Sequence, residues 1–139
     1  MHVTCCEITP RTPDSTASVR RCLRTRLAGW DLEILADDAN LIVSELLSNA
    51  LRHGRPPVHV RVALLRAEEG GRTLHMEVAD AGHRLDTDAI RAGWTYEGLW
   101  SEGGRGLLLV DALASRWGEG VTGQGHTVWA HLDAVDRDG

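Results

Sequence analysis

The hydrophobic period of the chain changes abruptly at residues 54–57. From Asp31 to His53 the apolar residues Ile42, Val43, Leu46, Leu47 and Ala50 recur at three- and four-residue spacing, which predicts one face of a helix. Gly54 with Pro56 and Pro57 stops that pattern, because glycine suits a helix end and proline cannot continue one. Beyond them Val58, Val60, Val62 and Leu64 alternate with His59, Arg61 and Ala63, the period of a strand with one buried face. A chain that switches period in this way is neither all-helical nor all-β.

The rest of the chain extends the pattern. Pro13-Asp14-Ser15 signals a helix start, and Val19, Cys22, Leu23, Leu27 and Trp30 follow at helical spacing, with Arg20, Arg21, Arg24 and Arg26 toward water. Glu68-Glu69-Gly70-Gly71 makes a turn, and Leu74, Met76 and Val78 alternate with His75 and Glu77, so residues 58–78 form an antiparallel hairpin closed by Asp80-Ala81-Gly82. Residues 83–105 are irregular, with a short helix expected near Asp86 to Arg91 and with Trp94 and Trp100 among Gly93, Gly98, Gly103 and Gly104. So long a connection inside a small domain is usually functional or mobile, and it is a lid candidate. A helix follows from Gly106 to Ser115, then strands at Arg116 to Val121 and Thr127 to Leu132. The expected order is helix, helix, strand, strand, loop, helix, strand, strand: an α+β, two-layer sandwich with helices on one face of a mostly antiparallel sheet.

A length of 139 residues fits one domain, taken as residues 13–133 between a polar segment, 1–12, and a tail, 134–139. No apolar run approaches the roughly 20 residues of a membrane span, and MHVTCCEITPRTPD is no signal segment, so a cytoplasmic location without a membrane partner is expected. Cys5, Cys6 and Cys22 match neither a zinc spacing nor a disulfide framework, and Cys22 is expected in the core. With a net charge of -5 and no basic stretch, direct nucleic-acid binding is not expected. All 15 Lys+Arg residues are Arg, which removes Schiff-base chemistry and the lysine of a G-x-x-x-x-G-K-[ST] phosphate loop.

Three stretches can carry chemistry. Glu45, Asn49 and His53 are spaced by four and share one stripe bordering the apolar face. Such a stripe is either a solvated helix edge or a site in which a carboxylate takes a proton and an amide oxygen joins the shell of Mg²⁺. Asp80-Ala81-Gly82 is either an ordinary turn or a carboxylate placed to accept from an exocyclic amine, beside a glycine that lets the chain pass close to a ring. Gly103-Gly104-Arg105-Gly106 precedes LLLVDALA and is either a flexible joint or a phosphate cradle of free helix N–H groups with an arginine clamp. Gly118 to Gly123 match G-x-G-x-x-G, but HTVWAHL then alternates like a strand, so the match is read as a hairpin turn.

Taken in order, these stretches resemble the nucleotide-binding boxes of the GHKL ATPase superfamily, which includes DNA gyrase, the heat-shock chaperones of the ninety-kilodalton class and sensor histidine kinases. The nearest likeness is to the small anti-sigma-factor serine kinases. SELLSNALRHG resembles the N box, VADAG the first glycine box, GGRGLLLVDALASRWG the second and GHTVWAHL the closing strand. The resemblance implies a Bergerat-type sandwich that binds ATP or ADP with Mg²⁺. It implies Glu45 as base, Asn49 as Mg²⁺ ligand, Asp80 with Gly82 at adenine, and Thr127 as a second contact near the base. It also implies Gly103, Gly104, Arg105, Gly106 and Leu107 at the phosphates. The activity implied is transfer of a phosphoryl group to a serine of an anti-sigma-antagonist protein by a homodimer that also binds a sigma factor. The other reading is a nucleotide-gated protein-binding module without kinase activity. Two departures are visible: Arg84 replaces the second glycine of D-x-G-x-G, and His126 stands where lysine is common.

Overall fold

A computed structural model of the chain describes residues 3–8, 15–53, 55, 57–67, 69–81, 102–122 and 125–134. The elements are β1 (Val3–Ile8), α1 (Ser15–Gly29), a 3₁₀ turn (Glu33–Leu35), α2 (Ala36–His53), β2 (His59–Arg66), β3 (Arg72–Asp80), α3 (Glu102–Leu113), β4 (Arg116–Thr122) and β5 (Gly125–Ala134). The strands form one antiparallel sheet in the order β1-β2-β3-β5-β4. This is the expected α+β sandwich, with a five-stranded sheet where four strands were expected. The additional strand is β1, which pairs with β2 from Val3↔Leu65 to Ile8↔Val60 inside the segment read as a polar opening.

Registry builds the core in rows. Val60, Val78 and Val128 lie side by side, as do Val62, Met76 and Ala130, then Leu64, Leu74 and Leu132. All are buried, and the helices cover them with Val19, Leu23 and Leu27 of α1, Ile42, Val43, Leu46 and Leu47 of α2, and Leu107 and Val110 of α3. Each fully buried aliphatic side chain of this kind stabilises the fold by roughly 1.5–3 kcal/mol relative to exposure. Cys22 packs against this cluster, and Arg20, Arg21, Arg24 and Arg26 are exposed, as the helical spacing predicts.

The expected second helix is divided at its start. α1 ends with Asp31 N–H donating to Ala28 C=O at 3.2 Å and Leu32 N–H to Leu27 C=O at 2.8 Å, the paired bonds of a Schellman cap. Asp31 therefore adopts φ 56°, a left-handed conformation that glycine takes at no steric cost. Asp31→Gly is expected to raise stability by about 0.5–1 kcal/mol, checked by urea unfolding.

The face turned away from the helices carries a polar chain. His75 Nδ1 lies 2.8 Å from His131 Nε2, and His75 Nε2 lies 2.6 Å from Glu77 Oε1. The hydrogen bond from His75 holds the Glu77 carboxyl below its ordinary value of 4.5, against the opposing effect of burial. Burial, then the charges of His75 and Arg116, lowers His131 below 6.5, with Asp133 opposing. Arg61 and the Arg116–Asp133 pair complete the charged surroundings. Below pH 6.5 the unfolded chain takes a proton on His131 before the folded one does, and below 4.5 the same holds for Glu77. Both effects remove stability as pH falls. Urea unfolding midpoints are expected to decline between about pH 7 and 5 in the wild type, and less steeply in His131→Gln.

Candidate functional site

The site begins on α2. Glu45 is half-buried and Asn49, one turn on, is only 6% exposed. The amide nitrogen of Asn49 is sealed from solvent and has no hydrogen-bond partner among the described residues. An unpaired buried donor costs about 1–3 kcal/mol, a cost that an acceptor on a ligand removes. The stripe read from the four-residue spacing is therefore not a solvated edge at Asn49.

After α2 the chain is fastened to the end of β3. Arg55 N–H donates to Asp80 Oδ1 at 3.4 Å, and Ala81 N–H donates to Arg55 C=O at 2.8 Å. These two contacts hold the last turns of α2 and the Asp80 carboxylate at one corner. Asp80, the last residue of β3, is 8% exposed. An ionised carboxylate there only accepts hydrogen bonds, which suits an exocyclic amine and not a carbonyl.

Two residues that were given no role in the sequence reading complete the corner. His126 lies directly across from Asp80 in the β3–β5 register, and its Nδ1 is 3.4 Å from Asp80 Oδ2. Its Nε2 is 2.8 Å from Oε2 of Glu119 on β4, and the side chains of His126, Asp80 and Glu119 are 3%, 4% and 7% exposed. The period-two alternation of His126 with Val128, Ala130 and Leu132, and of Glu119 with Trp117, is the signal that puts both on the helix-covered face. The G-x-G-x-x-G match holds no phosphate loop, and its first five residues form strand β4 and not a turn.

Gly125 makes this arrangement possible. A Cβ built there meets Asp80 C=O at 2.0 Å, and the φ of 156° is one that other residues rarely adopt. An open cavity of about 310 Å³ lies at this end of the sheet, lined by Asp80, Ala81, Gly125 and His126 with His59, Ala79 and Thr127.

Thr127 lines the same cavity as Asp80 but from the other face of the sheet. It pairs with Ala79, so strand alternation turns its side chain to the face opposite Asp80 and His126. Leu107 is 1% exposed within the core, and its side chain is spent on packing. Gly103, Gly104, Arg105 and Gly106 do not precede a helix but lie within the first turns of α3. The first four N–H groups of a helix have no internal partner, and among the described residues those are the N–H groups of residues 102–104. They carry the partial positive charge of the helix start, so the arrangement still suits phosphate, with glycine backbone and not a loop presenting the donors. α3 packs on α2, which places this N-terminal end in the same layer as Asn49. Gly82, Trp94, Trp100 and the lid candidate up to residue 101 lie outside the described residues.

Among the described residues no group of His, Cys, Asp and Glu could hold a metal ion, and no helix is long and apolar enough to cross a membrane. The amide oxygen of Asn49 and the carboxylate of Glu45 are oxygen ligands of the hard kind that Mg²⁺ takes alongside phosphate oxygens and water, so the residues present fit that ion in company with a nucleotide.

No curated protein matches the chain. The family model described as "Histidine kinase-like ATPase domain" matches residues 9–132. With the helix-layered antiparallel sheet and a match over nearly its whole length, the chain belongs to the histidine kinase-like ATPase family, a nucleotide-binding domain of the GHKL type.

Proposed function

We propose that the protein binds Mg-ATP between α2, the end of β3 and the start of α3, and transfers the γ-phosphoryl group to a serine of a small protein of the anti-sigma-antagonist type. In this reading it works as a homodimer that also captures a transcription regulator of the sigma-factor kind. The observation that carries the proposal is the enclosed amide nitrogen of Asn49, unpartnered among the described residues, one turn from Glu45 on the helix that Arg55 fastens to Asp80.

Each side chain has a task that its surroundings favour. Asp80 accepts from the base amine, and the N–H groups at the start of α3 take phosphate oxygens. Asn49 would hold Mg²⁺, which neutralises charge on the phosphates when bound. Glu45 takes the proton from the serine hydroxyl as its oxygen bonds to the γ-phosphorus. The bond from that phosphorus to the bridging oxygen breaks, and ADP leaves. The work is chiefly positioning and charge stabilisation, which a chain without lysine can supply.

The test is incubation with Mg-ATP and candidate antagonist proteins, read by the intact mass of the partner. Addition of one phosphate on a serine is the expected result. A stable nucleotide-dependent complex with no change of mass would replace the kinase by the gated binding module.

A further inference from the structure

We infer that His126 is a positioning residue for base recognition: anchored by Glu119, it fixes the plane of the Asp80 carboxylate and so sets the preference of the pocket for a purine bearing an amine. The inference rests on the nucleotide-binding reading above and deepens it.

Three observations converge. The imidazole is 3% exposed and lies between two carboxylates that are themselves buried, with Nε2 at 2.8 Å from Glu119 Oε2 and Nδ1 at 3.4 Å from Asp80 Oδ2. Those partners sit on β4 and β3 while His126 sits on β5, so the contact ties three neighbouring strands at the end where the base is to bind. Gly125 lets β5 press against the Asp80 carbonyl, which holds the His126 backbone opposite Asp80.

The consequence follows from carboxylate geometry. A carboxylate whose plane is free to rotate can meet either a donor or, through a bridging water, an acceptor, and then discriminates poorly between bases. With Arg55 N–H at Oδ1 and His126 at Oδ2, the plane of Asp80 is set from both sides. A carboxylate offers about four acceptor positions, so neither of these contacts by itself excludes a base amine. A base with a carbonyl in that place would face the oxygen lone pairs and lose affinity, as happens where a buried polar group is left unpaired.

The experiment is calorimetric titration of ATP and of inosine triphosphate, whose base carries a carbonyl where adenine has its amine, into the full chain and three variants. In His126→Asn the amide nitrogen stands near the Nδ1 position and keeps the contact to Asp80. In His126→Gln it stands near Nε2 and keeps Glu119 instead. The expected result is that His126→Gln lowers both ATP affinity and the ATP-over-inosine preference about tenfold, while His126→Asn stays within about threefold of wild type on both. An unchanged preference in His126→Gln, or equal losses in the two variants, overturns the inference. Should His126→Gln fail to fold, His126→Leu, which fills the space but makes neither contact, is read in the same way: a reduced preference supports the inference and an unchanged one overturns it. Wild-type protein that binds both nucleotides equally overturns the inference alone, whereas wild-type protein that binds neither overturns the nucleotide-binding reading.

Discussion

Gly125→Ala is expected to abolish ATP binding and to lower stability by about 3 kcal/mol or more, because the added methyl group has nowhere to go. Its carbon would stand 2.0 Å from the Asp80 carbonyl oxygen and 2.9 Å from Ala81 Cα, both backbone atoms that no rotamer change can move aside. A φ of 156° adds a conformational cost that glycine escapes. The strain is relieved only if β5 parts from the end of β3, which carries His126 away from Asp80. For a domain of this size the melting temperature is expected to fall by roughly 10 °C. Gly120→Ala is the control, since a Cβ at Gly120 meets nothing within 4 Å. Scanning calorimetry of both variants, followed by ATP titration, checks the prediction. A Gly125→Ala protein with wild-type stability and affinity would show that β5 does not press on Asp80 as described.

The second large effect concerns chemistry rather than folding. Glu45→Gln removes a proton acceptor while keeping size and hydrogen-bonding capacity, and Glu45 lies on the same stripe of α2 as the enclosed Asn49. If Glu45 takes the serine proton, the rate of phosphoryl transfer falls by about 10²–10⁴-fold, the usual contribution of a positioned base. ATP affinity is expected to change by less than about threefold, because the interaction is gained in the transition state and not on binding. Single-turnover transfer from labelled ATP, with affinity measured in parallel, separates the two quantities. Equal rates for variant and wild type would remove Glu45 from the mechanism, and a large loss of affinity would make it a binding residue.

How much of this was legible in the sequence depended on whether a signal was local. The four-residue spacing of Glu45 and Asn49 and the alternation through β2, β3 and β5 are local periodicities, and the structure places those elements where the periods put them. β1 was missed because Val3-Thr4-Cys5-Cys6-Glu7-Ile8 alternates poorly and sits at the sheet edge, where only β2 supplies pairing. The start of α3 was placed too late because three glycines within four residues have poor helix propensity, yet tertiary packing through Leu107 and Val110 continues the helix back to Glu102. The largest omission was long-range. That His126 faces Asp80 depends on the pairing of β5 with β3, 46 residues apart, and on β4 returning Glu119 to the same row as Val128. The same register turns the Thr127 side chain to the face opposite His126, because a displacement of one residue along a strand reverses the face. On the open face, the His75–His131 contact is equally invisible without the register.

The most direct test of the central claim is calorimetric titration of ATP, with and without Mg²⁺, into the wild type and Asp80→Asn. Wild-type protein is expected to bind ATP saturably and more tightly with Mg²⁺. The variant, which offers an amide where the base amine needs an ionised acceptor, is expected to lose at least tenfold in affinity while keeping its fold. Absence of saturable binding to a folded wild type, or an affinity that Asp80→Asn leaves unchanged, would contradict the assignment of this corner as the nucleotide site.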